Sequence, residues 1–239
     1  MKTKLYLLSG LLCDSTVWQA QLDGLANICD VEAIDFQGFD SIPLMAEHVL
    51  GRAPERFALA GHSMGARVAL EIMRIAPDRV ERLALLDTGT HSVRSGEAQS
   101  RQQLLDLAQE QGMPALANQW LPPMMSLTNA ARAELWEPLR EMVCRMSPAT
   151  FKGQINALLN RPDASEVLAQ LRCPVLIGVG AEDRWSTVAQ HEQLADSVKH
   201  AAFEVYPGAG HMAPFEAPIV VTESLRRWML FNPNYTYSS

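Results

Sequence analysis

Three side chains in this sequence are of the types that nucleophilic attack on a carbonyl carbon requires. Ser63 lies between Gly61 and Gly65, Asp183 follows in Gly-Ala-Glu-Asp, and His211 follows in Gly-Ala-Gly-His. A serine hydroxyl is a poor nucleophile near neutral pH, so it needs an imidazole within hydrogen-bond reach to accept its proton. A carboxylate fixes the tautomer of that imidazole and stabilises the imidazolium that forms. The residues therefore predict a catalytic triad in which Ser63 is the nucleophile, His211 is the base and Asp183 or the adjacent Glu182 is the acid.

Six short apolar runs, which alternate with longer amphipathic stretches, provide the elements that would position these residues. Several runs are apolar nearly throughout and end at Gly, Asp or Ser, which is typical of strands buried on both faces of a parallel sheet. They span residues 5–9, 31–35, 56–61, 82–88, 174–180 and 202–208. Helical patterns lie between them at 42–52, 64–76, 186–198 and 216–230. The alternation predicts an α/β fold, a doubly wound and mostly parallel sheet of about six strands.

The alternation is interrupted between residues 91 and 171, where only helical patterns are found. A helical insertion is therefore predicted after the fourth strand. It divides the chain into a core of residues 1–90 and 172–239 and an inserted segment of residues 91–171. The final residues 231–239 predict a loose tail.

The three candidate residues follow the third, fifth and sixth runs. Active sites in such sheets form at the carboxyl ends of the strands, so these side chains are expected to converge. The two glycines around Ser63 predict a turn too tight for side chains, placed where a strand meets a helix. The N–H groups of Met64, at the start of that helix, and of Leu11, after the first strand, would bind a tetrahedral oxyanion.

Three stretches resemble the α/β-hydrolase family, and the resemblance covers nearly the whole chain. GHSMGARVALEIMRIAPDRVERLALLDT is similar to the family's nucleophile elbow and the elements after it, GAEDRWS to its acid loop, and GAGHMAPFEAP to its histidine loop. The resemblance implies that Ser63 is the nucleophile, Asp183 the triad acid and His211 the general base. It also implies that residues 91–171 form a lid, and that the sheet lacks the family's usual antiparallel opening hairpin.

Two assignments have alternatives. Many family members carry His-Gly where this chain has Ser-Gly before Leu11, so either Leu11 or Leu12 would supply the second oxyanion N–H. The acid has two competitors. Glu182 is adjacent to Asp183, and Asp87 occupies a position after the fourth strand that some relatives use; the Gly-x-x-Asp spacing favours Asp183.

Several large side chains are candidates for an acyl-binding pocket. We expect the substrate to contact Trp120, Met124, Trp185 and Met212, although ordinary packing of the lid or core would explain each of them as well. His62 is interpreted as structural, packing behind the turn that carries Ser63. Arg184 could bind a substrate carboxylate, but a solvated charge is the simpler interpretation.

The predicted function is that of a serine hydrolase that cleaves a small carboxylic ester, with a lactone or thioester as alternative substrates. Neither a cofactor nor a metal is required for this chemistry. Two further hypotheses stay open: the same triad could cleave a C–C bond or generate peracids, or the chain could be a receptor that binds its ligand without turnover. Fold alone does not choose between them.

Composition limits the classes of partner. The chain has 239 residues, a net charge of −7 and no Lys/Arg cluster, which argues against nucleic acid. Four widely spaced cysteines without a CxxC pair favour free thiols and a cytoplasmic location. No run is long enough to cross a membrane, and the apolar run at 5–9 is interpreted as a strand rather than a signal peptide. The expected partner is a small-molecule ester; the oligomeric state is not predicted.

Overall fold

The computed structural model describes residues 2–199 and 201–231, and the predicted tail beyond Phe231 lies outside the described residues. Six strands form one sheet with the order β2-β1-β3-β4-β5-β6, in which every pair of neighbours is parallel. The strands are β1 (Lys4–Leu8), β2 (Asp30–Ile34), β3 (Phe57–His62), β4 (Val80–Leu86), β5 (Val175–Gly180) and β6 (Ala202–Tyr206). The predicted parallel α/β sheet is confirmed, and each strand overlaps one of the apolar runs.

Burial along the strands explains why those runs are apolar. Every residue of β3 and β5 is buried, whereas the edge strands β2 and β6 are partly exposed over most of their length. A central strand of a parallel sheet is covered by helices on both faces, so both sets of alternating side chains must be apolar.

Helices cover the sheet and connect its strands. Outside the insertion they are α1 (Gln19–Leu25), α2 (Ile42–Arg52), α3 (Met64–Ile75), α9 (Val188–Asp196), α10 (Ala213–Glu216) and α11 (Pro218–Leu230). The helix predicted at 216–230 is α11, which begins two residues later at Pro218, whose missing N–H suits a first helical position. The short α10 precedes it and ends at Glu216, and Ala217 between them is not helical. Helix α1, with seven residues, is too short to give a clear periodic pattern and was not predicted.

The segment between β4 and β5 is a helical insertion, as predicted. It contains α4 (Glu97–Trp120), α5 (Leu127–Ala130), α6 (Ala133–Arg145), α7 (Pro148–Leu159) and α8 (Ser165–Leu168). Helix α4 is interrupted at Gly112, which has a φ of 83°, and it resumes towards Trp120. Among the helices of the described residues, none combines the length and the apolar character that a membrane crossing requires.

Candidate active site

Ser63 lies on a sharp turn between β3 and α3. Its backbone has φ 53° and ψ −113°, a conformation that non-glycine residues rarely adopt, and its N–H donates to the carbonyl of Leu86 at 2.9 Å. The flanking glycines are required by close contacts. A Cβ on Gly61 would lie 2.5 Å from the Ala66 backbone, and one on Gly65 would lie 2.1 Å from the carbonyl oxygen of Leu8. The turn is therefore as tight as the sequence predicts.

The structure brings the three predicted catalytic side chains into one hydrogen-bonded chain. The Ser63 Oγ lies 2.8 Å from Nε2 of His211, and Nδ1 of the same ring lies 2.8 Å from Oδ2 of Asp183. An ionised Asp183 accepts a hydrogen bond from Nδ1–H, which leaves Nε2 as the acceptor for the serine hydroxyl. This is the arrangement that general-base activation of a serine requires.

The loop after β5 surrounds the Asp183 carboxylate with donors. Oδ1 accepts N–H groups of Trp185 at 2.7 Å and Ser186 at 3.0 Å, and Oδ2 accepts the hydroxyl of Ser186 at 2.8 Å. Burial raises the pKa of Asp183, but the neighbouring His211 and the Ser186 hydrogen bonds outweigh burial and lower it to about 2. The carboxylate is therefore ionised at neutral pH.

Neither alternative acid contacts the histidine. Glu182 is exposed to solvent. Asp87 is fully buried, its Oδ1 accepts the N–H of Gly180 at 2.8 Å, and its Oδ2 has no hydrogen-bond partner among the described residues. Burial and then the charge of Asp183 raise the pKa of Asp87 well above its usual range, so the charged form of this side chain is disfavoured.

Two backbone N–H groups beside Ser63 are free to bind an oxyanion. Met64 is the first residue of α3, and the first N–H groups of a helix have no partner within it. The N–H of Leu12 donates to Oε1 of Gln154 at 2.8 Å, whereas that of Leu11 makes no hydrogen bond within the described part of the chain. Of the two predicted candidates, Leu11 therefore has the available donor.

A cavity of about 430 Å³ opens above Ser63 and His211. All four predicted substrate-binding residues line it: Trp120, Met124, Trp185 and Met212. The first two belong to the helical insertion, and the last two belong to the loops that carry Asp183 and His211. Trp120, Met124 and Met212 are buried, while Trp185 is half exposed. In residues 2–199 and 201–231, no three His, Cys, Asp or Glu side chains are grouped closely enough to hold a metal ion.

His62 ties the histidine loop to the turn that carries Ser63. Its side chain is buried, and Nε2–H donates to the carbonyl oxygen of His211 at 2.7 Å. Burial and the neighbouring His211 lower the pKa of His62 to about 3, so the ring is neutral and Nε2 carries its proton. This contact agrees with the structural role expected for His62.

Arginines are the cavity residues that the sequence analysis missed. Arg67, Arg101 and Arg161 line the cavity, whereas Arg184, the candidate carboxylate ligand, donates instead to carbonyl groups of the insertion at Pro122 and Met125. One signal was available, because Arg67 lies four residues after Ser63, in the first turn of α3.

Comparison with known proteins agrees with this geometry. The model of the Alpha/beta hydrolase family matches residues 5–224. A pimeloyl-[acyl-carrier protein] methyl ester esterase of Nitrosomonas europaea is 26% identical over 228 residues, which cover 88% of this chain and 89% of that protein. A 3-oxoadipate enol-lactonase of Acinetobacter baylyi is 27% identical, with 77% and 66% covered. The solved structure of a thermophilic esterase from Thermogutta terrifontis superimposes with a TM-score of 0.87 at 26% identity, and the match covers 96% of this chain and 90% of that one.

Proposed function

Because the chain belongs to the alpha/beta hydrolase family, we propose that it is a serine hydrolase that cleaves a small carboxylic ester through an acyl-enzyme on Ser63. The observation that carries the proposal is the hydrogen-bonded chain from Ser63 through His211 to Asp183, which faces a cavity. The methyl ester esterase among the relatives supports an ester, and the enol-lactonase supports a lactone as a related substrate.

Acylation begins when Ser63 Oγ attacks the carbonyl carbon of the ester. His211 Nε2 takes the serine proton as the Oγ–C bond forms, and the former carbonyl oxygen becomes an oxyanion held by the N–H groups of Met64 and Leu11. The intermediate then collapses: the C–O bond to the alcohol breaks, and His211 returns the proton to the departing oxygen. Asp183 stays ionised throughout and stabilises the imidazolium.

Water then resolves the acyl-enzyme by the same route. His211 removes a proton from the water, whose oxygen bonds to the acyl carbon, and the second oxyanion occupies the same pair of N–H groups. Breakage of the acyl–Oγ bond returns the proton to Ser63 and releases the carboxylic acid. The products are one acid and one alcohol, and no other reactant is consumed.

The helical insertion acts as a lid over this site. Residues 91–171 place Trp120 and Met124 on the cavity, and the core segments 1–90 and 172–239 supply the triad. A cavity of about 430 Å³ lies at the small end of the range for ligand pockets, which favours a compact acyl group.

Steady-state hydrolysis of p-nitrophenyl esters from acetate to laurate, with the wild type beside Ser63→Ala, tests the proposal. We expect repeated turnover that peaks at short chains and a loss of at least about 1000-fold in kcat for Ser63→Ala, as for other triad serines. Ser197→Ala, an exposed serine after α9, serves as the control and should match the wild type. Release of at most one equivalent of product would instead favour the receptor hypothesis, and activity that survives in Ser63→Ala would refute the triad.

A further inference from the structure

Part of the cavity wall is strongly cationic. The side chains of Arg67, Arg101 and Arg161 all line it, and each residue is less than one tenth exposed. These three residues form the arginine cluster. The exposed Arg94 adds a fourth positive charge to the lining. Buried guanidinium groups are rare unless they are paired. The partners of these arginines therefore determine whether the wall can bind a further anion.

One carboxylate is shared by two members of the cluster. Glu97, at the start of α4, accepts Nη1–H and Nη2–H of Arg161 at 2.7 and 2.8 Å, and it accepts Nε–H of Arg101 at 2.9 Å. Burial raises the pKa of Glu97, but these hydrogen bonds outweigh burial and lower it to about 2. Glu97 is therefore ionised, and it balances only one of the two guanidinium charges.

Arg67 has no carboxylate partner among the described residues. Its Nη1–H donates to the carbonyl oxygen of His91 at 2.7 Å, the same oxygen that accepts Nε–H of Arg161 at 3.2 Å. Its other guanidinium N–H groups make no hydrogen bond within the described ranges, although Arg67 lines the cavity. Burial and then the charge of Arg161 lower the pKa of Arg67 to about 9, which still leaves it protonated at neutral pH.

Besides Glu97, the described residues of the cavity lining include one other acid, Asp87. Its carboxyl group is buried, accepts a single N–H and has its pKa raised by burial and by Asp183, so its charged form is disfavoured, and no ion pair joins it to the cluster among the described residues. The cluster thus keeps an excess of positive charge, with free N–H groups on Arg67, in a chain whose net charge is −7. A buried cation without a partner is costly, and an incoming anion would remove that cost.

We propose that the arginine cluster binds a carboxylate of the substrate, so that the preferred substrates are esters or lactones whose acyl part carries a second, ionised carboxyl group. The inference rests on the proposed function of Ser63. Arg67 follows Ser63 by four residues, which is about 6 Å along a helix, so one small molecule can reach both. A carboxylate matches the planar fork of a guanidinium and accepts two parallel hydrogen bonds from it.

Matched pairs of methyl esters test the proposal. Each monomethyl ester of a dicarboxylic acid, from succinate to suberate, is compared with the ester in which a methyl group replaces the free carboxylate, for example monomethyl glutarate with methyl pentanoate. We expect the wild type to prefer the charged member by at least about 10-fold in kcat/KM for the best chain length. Arg67→Gln should lower that preference by about 10- to 100-fold, the effect of losing hydrogen bonds to a charged group.

Two further variants make the result specific. Arg74→Gln is the matched control, because Arg74 lies on the same helix, pairs with Glu71 at 3.1 Å and is absent from the cavity lining; its preference should equal that of the wild type. Arg67→Lys keeps the charge without the fork, so it should retain part of the preference. It also replaces Arg67→Gln if the glutamine variant fails to fold.

The outcomes separate this inference from the proposed function. Serine-dependent turnover with no preference for charged esters, or with a preference that Arg67→Gln leaves intact, overturns the carboxylate site and leaves the hydrolase standing. If no ester is turned over, titration calorimetry of glutarate into Ser63→Ala still decides the matter. Binding that disappears in the Ser63→Ala/Arg67→Gln protein supports the site. No binding, or binding indifferent to Arg67, refutes it.

Discussion

The loops that follow β4 and β5 each carry a buried aspartate at the same edge of the sheet, and the pKa values of the two carboxyl groups are shifted in opposite directions. Asp183 accepts two backbone N–H groups, a serine hydroxyl and an imidazole N–H. Asp87 accepts a single backbone N–H, and its second oxygen has no partner among the described residues. The pKa of Asp183 is lowered to about 2, whereas that of Asp87 is raised.

Burial does not explain the difference, because both side chains are almost completely removed from solvent. The difference comes from the charge of the neighbouring His211 and from the supply of donors: both stabilise the charged form of Asp183, whereas desolvation prevails at Asp87, where donors are few. The two sites also interact, since the charge on Asp183 opposes ionisation of Asp87. The loop after β5 is therefore built to hold a negative charge, and the loop after β4 is not.

The largest effect is expected from Asp183→Asn. The amide removes the negative charge and presents a donor to Nδ1 of His211, which favours the tautomer that cannot accept the Ser63 proton. We expect kcat for ester hydrolysis to fall by about 10⁴-fold. The exposed Asp196→Asn is the control and should be silent. A loss smaller than tenfold would mean that another group orients His211.

Ser186→Ala should have an intermediate effect, because it removes one charge-assisted donor and leaves the others. We expect kcat to fall about 10-fold, since a hydrogen bond to a charged group contributes about 1.5–3 kcal/mol.

The same substitution predicts a pH dependence of stability. The folded pKa of Asp183 lies below its ordinary value of 3.8, so its contribution is present above about pH 4 and is lost as the pH falls towards 2. Ser186→Ala raises the folded pKa and shrinks that contribution. Urea unfolding between pH 2 and 6 should therefore show a gap between wild type and variant that closes as the pH falls; a constant gap would contradict the assigned charge state.

Asp87→Asn should have the smallest effect on catalysis, with kcat within about threefold of the wild type, because a neutral amide replaces a neutral acid. Its effect on stability has a definite sign. Wild-type Asp87 stays protonated in the fold but ionises in the unfolded chain above its ordinary 3.8, so wild-type stability falls as the pH rises. Above pH 4, the free energy of unfolding of Asp87→Asn should therefore rise relative to that of the wild type, by up to about 1.4 kcal/mol per pH unit. A difference that does not change with pH would show that Asp87 is ionised.

The sheet and the triad chain could be predicted from the sequence because each is encoded locally. A strand buried on both faces must be apolar; Ser63 and Asp183 follow the buried strands β3 and β5, and His211 follows the apolar run that forms the edge strand β6. Parallel strands end at one edge, so neighbours in the sheet bring these residues together without further information. Helix α2 has the predicted bounds of 42–52, because its pattern also lies within one continuous segment of the chain.

Contacts between distant segments could not be predicted in this way. Gln154, which lies 142 residues away from Leu12 on helix α7 of the insertion, accepts the N–H of Leu12 and so bears on the choice between Leu11 and Leu12. The arginine cluster likewise joins α3, α4 and the loop after α7. No periodicity in one segment reveals how an insertion folds back over a sheet.

The contact between Gly65 and the end of β1 has an evolutionary consequence. Because a Cβ on Gly65 would strike the carbonyl oxygen of Leu8, the two main chains that supply the Met64 and Leu11 donors approach each other here backbone to backbone. The proposed oxyanion site is thus independent of the side chains of Met64 and Leu11. Mutations of Met64 and Leu11 can change the cavity wall to fit a new substrate while the two N–H donors keep their positions. Gly65 cannot be replaced in this way, because any Cβ would collide with the Leu8 carbonyl oxygen.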